Sequence, residues 1–296
     1  MPYAGELSAL ITAIMWTGGA FAFAAATTRV GSVYVNVVRL IAAVIFLFIT
    51  IVAGNIHDDI SLIQTGYLIL SGIVGFVFGD TFLFKSFEYN SARISMLIMS
   101  VAPAMAALLA FIFLGETLTL IGIIGMAITL TGIMLVIFER KESSTHTLPV
   151  SMAGVFYAFL GALGQAGGLV LAKSAFVLGP INGLTATFIR AFAATILLVP
   201  LNYFSKRLTR PAAVFMNNPK ALAFTMLGAF LGPYLGVTFS LIAISITNVA
   251  IAATIMSIVP ILMLPAVWIL FHEHLSWRAV AGAFIAVAGI GILFLR

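Results

Sequence analysis

Hydrophobic residues in this chain come in long unbroken runs, not at the third, fourth or second positions that mark half-buried helices and strands. Ten runs lie near residues 5–28, 33–53, 62–84, 91–114, 118–138, 150–173, 181–203, 221–244, 248–271 and 277–295, divided by short polar stretches. As a helix, each run is long enough to cross a hydrocarbon layer about 30 Å thick. Lipid offers no partner to an open strand edge, and the runs lack the alternation of a membrane barrel. The pattern therefore predicts an all-α integral membrane protein of ten transmembrane helices.

The runs also repeat. Gly115-Glu116-Thr117-Leu118-Thr119, with Gly125 and Gly132, recurs 157 residues later as His272-Glu273-His274-Leu275-Ser276, with Gly282 and Gly289. Ser100-Val101-Ala102-Pro103 recurs at the same offset as Ser257-Ile258-Val259-Pro260, and Arg39 with Ala42-Ala43 matches Arg190 with Ala193-Ala194 at an offset of 151. The polar stretch at 140–149 falls where such a repeat needs a boundary, giving a first copy at 1–139 and a second at 150–296. Five crossings is an odd number, so the second copy enters the membrane inverted, which predicts a site near the midplane between the halves.

Composition narrows the chemistry. The chain is 62 % apolar and 8 % charged, which no soluble domain of 296 residues could cover with polar side chains. It has no cysteine, which removes disulfides, thiolate nucleophiles and zinc knuckles. The net charge of +5 lies in short loops and forms no stripe, so nucleic-acid binding is not expected. The first run lacks a basic leader and a convincing cleavage site, and reads as a retained span. Arg39 and Arg190 lie inside spans; of the other twelve Lys and Arg, ten follow odd-numbered spans. The positive-inside rule then puts both termini on the non-cytoplasmic side, in a multi-pass protein of the cell membrane. No Walker lysine motif is present, so this chain is not expected to split ATP. Clustered acids, bases and nucleophiles are also missing, and no enzymatic activity and no cofactor are expected.

The repeated Gly-Glu element, the proline-bearing fourth and ninth spans, Trp16-Thr17-Gly18, the two span arginines and the glycines of spans five and ten resemble the EamA-type proteins of the drug/metabolite transporter superfamily. The resemblance covers nearly the whole chain. It implies alternating access around a central cavity walled by spans one to four and six to nine, with five and ten outside. It also implies export of small amphipathic metabolites such as amino acids, with coupling to protons left open. The alternatives are exchange of phosphorylated or nucleotide-linked sugars, or a channel or scaffold without active transport. The partners expected are a small-molecule substrate and membrane lipid, with a homodimer left open.

Several residues carry that expectation. An arginine near a helix centre costs roughly 2.5 to 3.5 kcal/mol on insertion scales, so Arg39 and Arg190 need partners or a wet cavity. Arg39 and Asp80 reach similar depths from the same side, which makes an ion pair available and leaves Asp80 as a candidate proton-coupling carboxylate. The region of span eight matching Asp80 has no acid, so Arg190 is the better candidate to hold a carboxylate or phosphate. Trp16 and Gln165 occupy matching mid-span positions. Tyr157, Tyr89 and Tyr234 lie on spans that the resemblance assigns to the cavity wall, where aromatic faces suit amphipathic solutes. Pro103 and Pro260 are expected to kink spans four and nine. Glu116 and Glu273 each precede a helix and are expected to cap its free N–H groups. His272 and His274 flank Glu273 without a fourth ligand nearby, so no metal site is expected.

Overall fold

A computed structural model describes residues 3–90, 92–137, 151–271 and 277–294, and every regular element among them is helical. The first part contains α1 (Ala4–Val30), α2 (Ser32–Ala53), α3 (Leu62–Gly72), a π-helical segment (Ile73–Gly79), α4 (Asp80–Tyr89), α5 (Ala92–Met99), α6 (Ala102–Leu114) and α7 (Leu120–Ile137). The second contains α8 (Met152–Val177), α9 (Gly183–Phe204), α10 (Pro211–Met216), α11 (Pro219–Ala229), a second π-helical segment (Phe230–Gly236), α12 (Val237–Ile246), α13 (Val249–Met256), α14 (Val259–Phe271) and α15 (Trp277–Phe294). Among the described residues, six continuous helices are long and apolar enough to cross a membrane: Ala4–Val30, Ser32–Ala53, Leu62–Tyr89, Met152–Val177, Gly183–Phe204 and Pro219–Ile246. Shorter apolar helices occupy the other four predicted runs. The outer face suits lipid: on α2, Ile45, Phe48, Ile49 and Val52 form a stripe at helical spacing, each at least 50 % exposed.

The sequence offset reappears in the elements. α3, the first π segment, α4, α5, α6 and α7 recur 157 residues later as α11, the second π segment, α12, α13, α14 and α15, with the same lengths. Packing follows the same rule. α8 runs along α3, the first π segment and α4, while α1 runs along α11, the second π segment and α12. α2 packs on α9, and α7 on α15. Exchanging the two halves leaves these pairings unchanged.

Local chemistry sets the element ends. Ser61 and Gln64 form a reciprocal capping box at the start of α3, and the side chains of Asn182 and Asn218 accept from Leu184 and Ala221 N–H at the starts of α9 and α11. Gly115, at φ +65°, closes α6 in the left-handed conformation that side-chain-bearing residues resist. Pro103 and Pro260 do not kink continuous helices. Span four breaks at Ser100-Val101 and span nine at Ser257-Ile258, and each proline sits in the first turn of the helix that follows. The reason is that a first-turn residue has no intrahelical use for the N–H that proline lacks. The second π segment holds Pro233, whose missing donor and bulky ring a wider turn accommodates.

Glycines set the closest approaches. A Cβ added at Gly164 on α8 would sit 2.4 Å from Gly79 Cα, and one at Gly168 would sit 3.0 Å from Gly75 Cα. Between α7 and α15, a Cβ at Gly132 would lie 2.4 Å from Ala286 N, and one at Gly289 would lie 2.5 Å from Thr129 N. Both contacts are backbone against backbone, the use expected of small residues between membrane helices.

Candidate functional site

A cavity of about 120 Å³ opens among α1, α2, α4, α5, α6, α8, α12, α13, α14 and the two π segments. That is several times the space one water needs. Its wall draws on both halves: Trp16, Phe23, Phe76 and Phe84 give aromatic surface, Met96, Met99 and Met256 give adaptable apolar surface, and Arg39, Asp80 and Gln165 give polarity. Trp16 and Gln165 hold matching positions here. A Cβ at Gly236 would strike Trp16 at 2.6 Å, and one at Gly79 would approach Gln165 N at 3.2 Å. These two glycines are themselves 157 residues apart. Ser100, Ser257, Pro103 and Pro260 also line the cavity, so both helix breaks face it.

The polar centre of the cavity is an ion pair. Arg39 Nη2 donates to Asp80 Oδ2 at 2.5 Å, with side chains only 4 % and 13 % exposed. Arg39 Nε and Nη2 also donate to Asn36 Oδ1 at 3.0 and 2.8 Å, and Asn36 Nδ2 donates to Thr81 Oγ1 at 3.2 Å. The guanidinium carbon lies 4.6 Å from the ring centroid of Phe84, 5.4 Å from that of Phe23 and 5.9 Å from that of Phe76. Hydrogen bonds to the charge and aromatic faces around it are what keep a buried guanidinium tolerable. α2 supplies Asn36 and Arg39 three residues apart, hence on one face. Asp80 opens α4 directly after the first π segment, so the wide turn fixes where its carboxylate points.

Arg190 differs. It is 2 % exposed, its Nε and Nη1 have no hydrogen-bond partner, and its guanidinium carbon lies 5.2 Å from the Phe76 ring centroid. The positions that match Asn36 and Thr81 are Thr187 and Thr238, whose hydroxyls meet at 3.3 Å. The position that matches Asp80 is Val237, which lines the cavity. Arg190 is not itself among the lining residues, but the Phe76 ring against its guanidinium is.

The tyrosines lie elsewhere. Tyr157 stacks on Phe82 with centroids 5.9 Å apart and meets Tyr89 at 5.6 Å, in an aromatic group between α4 and α8. The Tyr234 hydroxyl lies 2.9 Å from Thr50 Oγ1, and its ring packs on Phe46 and Phe230. None of the three lines the cavity. Glu116 caps a helix, though not the next one: its Oε2 accepts from Val249 N–H at 2.9 Å, at the start of α13 in the other half. Lys173 donates to the Ile244 and Thr247 carbonyls at 2.6 and 3.1 Å, at the end of α12, and stands 4.0 Å from Glu116. Glu273, His272 and His274 lie outside the described residues. Among the described residues no cluster of three metal-ligating side chains occurs. Sequence reasoning passed over Asn36, Phe76 and Phe84, although the spacing of Asn36 from Arg39 was visible.

Comparison with known proteins agrees with this architecture. The EamA-like transporter family matches twice, over residues 3–138 and again over 152–295. An uncharacterized transporter of Archaeoglobus fulgidus is 23 % identical over 292 residues, covering 98 % of this chain and 97 % of that protein. The uncharacterized transporter YxxF of Bacillus subtilis is 28 % identical over 194 residues, 63 % of this chain and 58 % of the relative's own length. A solved crystal structure superposes with a TM-score of 0.75 at 17 % identity, covering 100 % of this chain and 98 % of the other, and so shares the fold. With two matches that together span nearly all its residues, the chain belongs to the EamA-like transporter family and is a multi-pass membrane transporter.

Proposed function

We propose that this protein is a secondary transporter that exports a small amphipathic metabolite, such as an amino acid, by alternating access through the cavity between its two inverted five-helix repeats. The observation that carries the reading is the wall itself: aromatic surface from the first half and methionine surface from both halves, around the buried Arg39–Asp80 ion pair. An apolar body fits the first and a polar end group the second. Transport here is coupled to protons through Asp80. A carboxylate that loses its guanidinium when the halves move is left in low dielectric, where the protonated form is favoured.

Uptake by proteoliposomes in counter-transport, with and without a pH gradient, tests the proposal. Wild-type uptake is expected to depend on the gradient, and Asp80→Asn to lose that dependence. Gradient-driven uptake that survives intact in Asp80→Asn rules out the coupling role.

The protein resides in the cell membrane with both termini on the non-cytoplasmic face, a reading supported by the ten Lys and Arg that fall between an odd-numbered sequence-predicted span and the next. Reporter domains fused to either end are expected to be active only in their non-cytoplasmic form. Activity of the cytoplasmic reporter would reverse the assignment.

A further inference from the structure

The central charges do not balance. Among the described residues, the middle of the bundle holds the guanidiniums of Arg39 and Arg190 and one carboxylate, Asp80, which Arg39 engages directly. One positive charge is left over, and it sits on Arg190, whose Nε and Nη1 donate to nothing. A desolvated arginine with two donors unmet is among the costlier arrangements a membrane protein can hold, and such residues mark solute pathways.

We propose that Arg190 binds the carboxylate of a monoanionic substrate group, with Phe76 as the movable wall between the cavity and the guanidinium. Three observations bear on this. Phe76 lines the cavity and lies over Arg190 and Arg39, 5.2 and 5.9 Å from their guanidinium carbons, so rotation of one side chain connects the cavity with Arg190. The surplus is a single charge, which a monoanion neutralises and a phosphate dianion overshoots. The cavity wall includes Leu169, Val237 and Phe84, apolar surface that suits the hydrocarbon body behind a carboxylate. Val237 is the decisive residue in the second half: where Asp80 provides an internal counterion for Arg39, the matching position leaves Arg190 for an external one. A substrate whose only charge is this carboxylate makes the bundle centre neutral on loading, the condition under which the halves can close over it at low cost. The inference deepens the transport reading above and rests on it for its place in the cell, but binding itself is measured without transport.

The test is thermal unfolding of the purified full chain in detergent, with phenylacetate, its neutral isostere phenylacetamide, or inorganic phosphate. Phenylacetate is expected to raise the melting temperature of the wild type saturably, while phenylacetamide and phosphate leave it unchanged. Arg190→Met is expected to melt at or above the wild-type temperature, since it removes an unpartnered buried charge, and to bind phenylacetate about tenfold or more weakly. Arg190→Lys keeps the charge but loses the planar fork, is expected to weaken phenylacetate binding as well, and serves if the methionine variant does not fold. Absence of a phenylacetate response in the wild type, an equal response to the amide, a phosphate response in its place, or undiminished binding by both variants would each overturn the assignment. Loss of the carboxylate response alongside intact gradient-driven uptake removes this inference alone. Carboxylate binding without any uptake instead removes the transport reading.

Discussion

Arg39→Leu is expected to destabilise the folded protein by about 3–5 kcal/mol, because removing one partner of a buried ion pair leaves Asp80 without the hydrogen-bonded charge that offsets its burial. Asp80 loses its guanidinium at 2.5 Å, and Asn36 Oδ1 loses both of its Arg39 donors. Asp80→Leu is expected to be at least as damaging, since the bundle centre then holds two guanidiniums and no carboxylate among the described residues. The double variant Arg39→Leu/Asp80→Leu should recover most of the loss. A buried ion pair exchanged for packed apolar groups is often neutral or stabilising, because its desolvation penalty disappears with it. Melting temperatures of the two single variants and the double variant form a cycle, and a coupling well above 1 kcal/mol is the expected result. Strictly additive losses would mean that the pair does not act as a unit. Transport should follow a different pattern: the double variant folds and yet carries nothing in a pH-dependent manner.

Gly164→Leu should be comparably severe, for a steric reason. A Cβ at that position already falls 2.4 Å from Gly79 Cα and 2.7 Å from Gly79 N, and backbone cannot rotate aside. α8 must withdraw from the first π segment, opening voids along a contact that includes Gly168 against Gly75. Overpacking of this kind costs about 1–3 kcal/mol and occasionally more, and leucine here belongs at the upper end. The displacement also reaches the cavity, since Gln165 and Asp80 adjoin the crossing. Gly66→Ala is the matched control. Nothing lies within 4 Å of its added Cβ, and helix propensity favours alanine over glycine by about 1 kcal/mol. The control should fold at least as well as the wild type, while Gly164→Leu melts lower or fails to accumulate; equal melting of the two variants would contradict the close crossing.

Much of the architecture could be read from the residues because two strong signals agree. Apolar runs of membrane length set where the helices lie, and the 157-residue echo of Gly115-Glu116 and of Ser100 to Pro103 is the same shift that relates α3–α7 to α11–α15. The Arg39–Asp80 pair was legible for a simpler reason: charged groups are rare inside spans, so two at equal depth had few other partners. Helix rotation was much less legible. When every face of a helix is apolar, nothing in the pattern tells lipid from cavity, which is why Tyr89, Tyr157 and Tyr234 sit on the right helices yet do not line the cavity. The π segments left no trace in the hydrophobic pattern either, because a widened turn changes register without changing composition. Proline was misread as a kink because its presence in a run does not say whether the run is one helix or two. Glu116 was read as capping its own neighbour, whereas the helix start that it serves is 133 residues away and adjacent only after folding.

The contact between α7 and α15, like that between α2 and α9, joins an element to its own counterpart in the other half. Gly132 meets Ala286, and Gly289 meets Thr129; a shift of 157 residues turns each contact into the other. A junction that maps onto itself when the halves are swapped must lie on their approximate axis of symmetry. Points on an axis move least when bodies turn about it, and points far from it sweep the widest arcs. The glycine junction therefore has the character of an axle, held by unyielding main chain, while the mouth of the cavity has the leverage to open and shut.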